Sequence, residues 1–307
     1  MTPAPAATSA DGLPGSEAGP PPQRVSPITF PSQEPALPEP DASQPAAVRD
    51  AFRQCLFALR PDVDWLLGAL RLQRRIVEAS YPSKYRNHRY AAALLLWSRV
   101  YSTGLELLRL SAWGSYAACP PLVRASLEWL AAEQAVVGTE FEEFEDWLRS
   151  AYTPESDYAA IDVGMGQYMA GQQIAMAEDL GAVYRSAAEL ARPHFGASAL
   201  LVAPESNRKK LALHWGDQAF HHGWAQILFG WQIVIQQRQI RFAVGRGLFG
   251  VEADERKRFQ QLSRQAETLL AASARCRTEW IAGKTRERLL VHNFRRQPGG
   301  APQRVLL

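Results

Sequence analysis

The stretch Ala112–Val137 constrains the fold of this chain most. After Pro120 and Pro121 it reads as a helix that is apolar on nearly every side, which is the pattern of a helix at the centre of a domain. Arg124 and Glu128 interrupt this pattern at i,i+4 spacing. Because burying an isolated charge is costly, we expect both side chains to pair with each other or with polar groups that reach into the core.

Apolar residues recur at three- to four-residue spacing along most of the remaining chain, and there is no run of alternating strands and no phosphate-binding glycine loop. The predicted class is therefore all-α, a bundle of about six to eight helices within residues 47–283. Pro61 predicts a break in the first helix. Further helices are predicted at Tyr90–Leu110, Phe141–Tyr152, Asp157–Ala191, Asp217–Val244 and Glu252–Ala282, with a loop at Pro193–Ser206.

Both ends of the chain are predicted to lie outside this bundle. Residues 1–46 hold more than half of the 21 prolines and few aromatic residues, so they are predicted to be a disordered tail. Residues 284–307 carry an excess of arginine and are predicted to be a basic C-terminal tail.

The net charge, the cysteine count and the hydropathy of the chain narrow the possible functional classes. A net charge of +3 is too small to indicate a nucleic-acid-binding protein by itself. Three cysteines without metal-ligand spacing favour reduced thiols, and no apolar run is long enough to span a bilayer. We therefore expect a cytoplasmic protein that does not act in a membrane, and no motif calls for a cofactor.

His214, Asp217 and His221 form the clearest candidate for a metal site. They stand at i, i+3 and i+7, so a helix running through His214 would place all three on one face. Two imidazoles and one carboxylate are a common ligand set for a transition metal with an open position. The alternative is that Asp217 caps a helix and the histidines pack as ordinary hydrogen-bonded side chains.

A second interpretation uses Arg208 and His214, which five residues separate. In RNA cleavage a histidine can remove the 2′-hydroxyl proton while an arginine neutralises the charge that builds on the phosphate. An R-x(4–6)-H spacing within a helical bundle resembles the HEPN superfamily of helical ribonucleases and nucleotide-binding modules. The resemblance implies metal-independent RNA cleavage in a dimer, with Arg208 and His214 as catalytic residues and Arg124 or Glu128 orienting them.

A broader resemblance concerns the helical hairpin around Gly114. It rests on two spaced motifs, Gly114-x-Tyr116-x-Ala118 and Leu122-x-Arg124-x-Ser126-x-Glu128. They are similar to the signature of a family of bacterial all-helical proteins without an assigned activity, in which a histidine-containing segment follows about ninety residues later. Here that segment is Ala212–Gly223, and the resemblance implies that Arg124 and Glu128 share one polar cluster with His214 or His221.

These observations predict an interaction or regulatory module with a buried polar cluster, acting through a protein partner or as a homo-oligomer. The alternatives are a HEPN-like ribonuclease or nucleotide-binding module, with RNA as its partner, and a helical metal-binding protein. The sequence alone does not decide among these three functions.

Overall fold

The structure is a computed structural model, and it describes a defined part of the chain. The described residues are 29–80, 88–138, 142, 174, 177–193, 195–203, 205–216, 218–246 and 249–307. Asp217 lies outside them, as do most residues of the helices predicted at Phe141–Tyr152 and Asp157–Ala191.

Seven α-helices and a small antiparallel sheet make up the described part of the chain. The mainly helical class is confirmed, but the prediction of a purely all-α protein is wrong because three strands are present. The helices are α1 (Ala46–Ser80), α2 (His88–Ala112), α3 (Cys119–Gly138), α4 (Glu178–Ala191), α5 (Phe195–Val202), α6 (His222–Arg246) and α7 (Ala253–Ala271), and the strands are β1 (Arg277–Ile281), β2 (Arg288–Phe294) and β3 (Gln303–Leu306).

Helix α6 is the central helix of the bundle. It is buried on almost every side and contacts α1, α2, α3 and α7 as well as the sheet. Its apolar residues cover the whole helical wheel, which is the pattern of a helix without a solvent face. Trp224, Phe229 and Ile233 are among the most buried of them.

Helix α3, which the sequence placed at the centre, lies at the edge. It buries Val123, Leu127 and Leu130 against α2 and α6, while Arg124 faces solvent. The expectation that Arg124 lies in the core is therefore wrong. The alanines beside it read as apolar in the sequence, but alanine is small enough to border a solvent-facing stripe.

The break predicted at Pro61 is confirmed as a kink in α1. Leu59 has non-helical angles of φ −132° and ψ 28° just before the proline, where the ring excludes a regular helical turn.

Residues 29–45, predicted to belong to a disordered tail, instead pack along α1 and α2. The indole N–H of Trp113 donates to the carbonyl oxygen of Pro38 at 3.2 Å, and Arg74 donates to the carbonyl oxygen of Gln33 at 2.6 Å. Phe30 and Leu37 pack against the core. Residues 1–28 lie outside the described part, so disorder there stays a prediction.

The segment between α7 and Phe294 also departs from expectation. The predicted helix Glu252–Ala282 ends at Ala271, and the chain continues into β1. Thr278 then pairs with Val291, and Val291 with Val305. Strands β2 and β3 lie within the predicted tail 284–307, so that part of the chain belongs to the fold.

Strand β2 covers the start of the central helix. The backbone N–H groups of His222 and Gly223 donate to the carbonyl oxygens of Arg296 and Arg295, at 2.8 and 2.9 Å. Phe294 lies against His221 and Trp224, with ring centroids 4.5 and 5.6 Å apart. The two residues that directly follow β2 therefore supply acceptors for donors that the first turn of a helix leaves unpaired.

Candidate functional site

The loop between α5 and α6 is held in a defined shape by its own polar groups. Asn207 accepts hydrogen bonds from the backbone N–H groups of Lys209 and Lys210 through its side-chain oxygen, at 2.9 and 3.1 Å. The hydroxyl of Ser206 accepts from the N–H of Ala212 at 2.9 Å. These are the local side-chain bonds by which Asn and Ser stabilise tight turns.

The residues after this turn alternate in exposure. Leu211 and Leu213 are 61% and 67% exposed and Trp215 is fully exposed, whereas Ala212 and His214 are half-buried. We call Leu211, Leu213 and Trp215 the apolar row. The period of two is visible in the sequence as LALHW at 211–215, so the residue pattern itself indicates this surface.

A basic triplet, Arg208 to Lys210, comes directly before the apolar row, and all three residues are exposed. The guanidinium of Arg208 makes no hydrogen bond or ion pair within the described residues. The structure therefore does not show Arg208 acting together with His214, and the ribonuclease assignment of this pair stays a prediction.

Behind the apolar row lies a small cavity of about 80 Å³. Its lining includes Gly114 and Tyr116 of the first motif, together with His214, His221 and Arg296. We call it the histidine pocket. The structure thus brings residues of the first motif and the later histidine segment to one place. Arg124 and Glu128 are not part of the pocket lining, so the cluster that the family resemblance implies, of these two residues with His214 or His221, is not formed there.

Hydrogen bonds fix the groups around the histidine pocket. The Tyr116 hydroxyl accepts the backbone N–H of His221 at 3.1 Å, and burial raises the pKa of Tyr116 far above its ordinary value. Nδ1 of His221 accepts the N–H of Trp224 at 3.3 Å, which leaves the ring proton on Nε2 in the neutral form. Glu205 lies 2.6 Å from Arg296 and 3.5 Å from Nε2 of His214.

Arg124 and Glu128 form an ion pair at the surface, and both side chains are more exposed to solvent than predicted. Nε of Arg124 lies 3.0 Å from Oε1 of Glu128, and the two side chains are 45% and 40% exposed. The Tyr184 hydroxyl also donates to Glu128 at 3.0 Å, and the Arg124 guanidinium lies 5.9 Å from the Tyr184 ring centre. Their partner is thus a tyrosine of α4 rather than a histidine, and a role in orienting catalytic groups stays a prediction.

The described residues contain a buried polar cluster, but it is not the predicted one of Arg124, Glu128 and a histidine. Gln73 donates to the side-chain oxygens of Gln236 and Gln239, at 2.5 and 2.8 Å, and Gln239 donates to Glu133 at 2.6 Å. All four residues are buried among α1, α3 and α6. The signal was Gln232, Gln236 and Gln239, a polar stripe at helical spacing on an otherwise apolar helix.

The proposed metal ligands do not share a helix face, because α6 begins only at His222. His214 and His221 nevertheless both line the histidine pocket, and Asp217 lies outside the described residues. Among the residues that the structure describes, no three His, Cys, Asp or Glu side chains are grouped so that they could hold a metal ion. The metal site with Asp217 stays a prediction.

No described helix combines the length and apolar character needed to cross a membrane. Comparison of the chain with protein-family models, with curated proteins and with solved structures gives no match.

Proposed function

We propose that this protein is a protein-association module whose contact surface is the apolar row. The observation that carries the proposal is the outward exposure of Leu211, Leu213 and Trp215 in consecutive alternate positions. Exposed apolar side chains that are grouped rather than scattered mark interaction sites on soluble domains. Tryptophan in particular is enriched among the residues that dominate binding energy.

The neighbouring features favour a protein partner over the alternatives. Leu211 and Leu213 have no aromatic face, whereas binding of single-stranded RNA depends on aromatic side chains that stack with bases. The histidine pocket, at about 80 Å³, is much smaller than the ~300–1,000 Å³ typical of ligand sites. The hydrogen bonds of the pocket residues and of the buried polar cluster join the loop and the helices of the bundle to one another.

The test is site-specific photo-crosslinking in living cells. The full chain carries a photoreactive phenylalanine analogue at position 213 or, as the control, at position 57, where Phe57 is 91% exposed on α1. We expect one protein partner, identified by mass spectrometry, to be crosslinked at 213 and not at 57.

The matched substitution removes the apolar row without touching the core. We expect Leu211→Ser, Leu213→Ser and Trp215→Ser together to weaken binding of that partner about tenfold or more, since a central aromatic anchor contributes ~2 kcal/mol or more. Thermal unfolding should change little. Unchanged affinity of the triple variant, or the absence of any crosslinked protein at 213, would contradict the proposal.

A further inference from the structure

A second cavity, of about 530 Å³, lies between α1 and α2, and residues 29–31 form part of its wall. Apolar side chains make up most of this wall, among them Phe30, Val77 and Leu94. The volume lies within the ~300–1,000 Å³ that is typical of ligand sites. We call this cavity the α1–α2 groove, and no residue of its described lining belongs to the apolar row.

Gln73 brings an unpaired hydrogen-bond acceptor to the wall of the groove. Its side chain is fully buried and belongs to the lining. The amide nitrogen donates to Gln236 and Gln239 in the buried polar cluster, whereas Oε1 has no donor among the described residues. A buried oxygen without a donor costs free energy, because nothing replaces the hydrogen bond that it makes to water in the unfolded chain. A donor that enters through the groove would remove this cost.

The groove offers a ligand polar groups but no unpaired charge. Arg74 is the only charged residue among the described lining. Its Nε lies 2.7 Å from Oε1 of Glu78, and its guanidinium donates to the carbonyl oxygen of Gln33 at 2.6 Å. Tyr101 also lines the groove, and burial raises its pKa, so its hydroxyl stays neutral at physiological pH. A ligand without charge therefore matches this wall, since a charged one would be desolvated without gaining a counter-charge.

We propose that the α1–α2 groove is a binding site for an uncharged small molecule with an apolar body and one N–H or O–H group. The apolar wall takes up the body, and the N–H or O–H group donates to Oε1 of Gln73. The hydroxyl of Tyr101 donates to the ligand where the ligand carries an acceptor. The inference does not rest on the proposed function, because the groove and the apolar row share no described residue.

The experiment uses N-phenyl-1-naphthylamine, an uncharged dye with an apolar body and one N–H group, whose fluorescence rises in apolar surroundings. We expect the full chain to bind the dye saturably, with one molecule bound per chain. A titration without saturable binding would overturn the proposal.

A matched ligand tests the hydrogen bond to Gln73 without disturbing the buried polar cluster. 1-Phenoxynaphthalene has nearly the shape of the dye, but an ether oxygen replaces the N–H group. We expect it to bind about two- to tenfold more weakly than the dye in displacement titrations, because it leaves Oε1 of Gln73 without a donor. Equal affinities would overturn the ligand class that the proposal names.

Matched variants locate the dye. Ser98 is an exposed residue of α2 that lines the groove, whereas Glu106 is exposed on the same helix outside the described lining. We expect Ser98→Trp to weaken dye binding about tenfold or more, because the indole fills part of the groove, and Glu106→Trp to leave it unchanged. Equal binding by the two variants would place the dye elsewhere and overturn the groove as its site.

The variant that carries serine at all three positions of the apolar row separates this inference from the proposed function. We expect it to bind the dye as the unmodified chain does. Loss of dye binding in this variant would place the dye on the apolar row and overturn the inference. The proposed function would then still be decided by photo-crosslinking at position 213.

Discussion

Glu133 is a carboxylic acid enclosed by the bundle. It is fully buried, its Oε2 accepts from Gln239 at 2.6 Å, and Oε1 has no partner within the described residues. Burial raises the pKa of Glu133 to about 8, although the hydrogen bond from Gln239 opposes the shift. The side chain is therefore protonated at neutral pH, so the bundle does not hold an isolated charge at this position.

The raised pKa of Glu133 makes stability fall with rising pH. The unfolded chain ionises near the ordinary value of 4.5 and the folded chain near 8, so the contribution is fully present below pH 4.5 and is lost as pH rises toward 8. The loss is at most about 1.4 kcal/mol per pH unit. We expect Glu133→Gln to remove this slope in urea denaturation between pH 5 and pH 8, because an amide keeps the bond to Gln239 without titrating.

Glu128→Gln provides the control, since Glu128 lies on the same helix but is 40% exposed. Its denaturation curves should keep the slope of the unmodified chain. An equal slope in the Glu133→Gln variant would show that burial of Glu133 does not control this pH dependence.

The same two glutamates show what the sequence could determine at the level of residues. It identified α3 as carrying a buried polar group but selected Glu128 and Arg124 rather than Glu133. Five residues at 100° each place Glu128 and Glu133 about 140° apart on the helix. Both have alanines within four residues on the helix, so the alanine pattern does not distinguish them, and Glu133 is the one that packs against Gln239 of α6.

At the scale of elements, the turn after α2 depends on Gly114. Its φ is +80°, and a Cβ at this position would overlap the backbone carbonyl of Gln218. Gly216 also has a positive φ, +61°, but among the described residues a Cβ there would meet no atom within 4 Å. Substitution of either glycine of the histidine pocket would introduce backbone strain, but only substitution of Gly114 would also introduce a steric overlap.

We expect Gly114→Ala to destabilise the fold clearly more than Gly216→Ala. Both pay the strain of a left-handed conformation, ~1–2 kcal/mol, but only Gly114→Ala must also displace the backbone near Gln218. Urea denaturation of both variants measures the difference. Equal losses would mean that the contact with Gln218 does not constrain the turn.

Helices with a local signature were predictable, and elements that depend on distant partners were not. The kink at Pro61 and the presence of α2, α3 and α6 followed from proline chemistry and apolar period. The segment Arg277–Ile281 was read as helix because its residues alone do not specify pairing with Arg288–Phe294. The apolar row around Leu213 was not predicted because alternation over five residues is too short to stand out in a helical chain.

At the scale of the whole molecule, one ion pair joins the first helix to the segment that leads into the sheet. Arg275 and Asp62 lie 2.6 Å apart, and both side chains are only 6% exposed. Arg275 also donates to the carbonyl oxygen of Gln226 at 3.0 Å. The pair therefore connects α1, α6 and the start of β1 in the interior.

We expect Asp62→Asn to cost ~3–5 kcal/mol, because it leaves the buried Arg275 without its counter-charge. The matched change Asp64→Asn, in a pair with Arg60 that is more than half exposed on both sides, should cost ~1 kcal/mol or less. Equilibrium urea unfolding compares the two. Similar costs would show that the interior pair does not tie the first helix to the sheet.

The contacts between β2 and the start of α6 have a consequence during synthesis. The ribosome makes α6 well before it makes Arg295 and Arg296, whose carbonyl groups receive the first amides of that helix. Until those residues emerge, the helix start is uncapped and the surface that Phe294 later covers is bare. We therefore expect the start of α6 to reach its final packing only after residues 294–296 have left the ribosome.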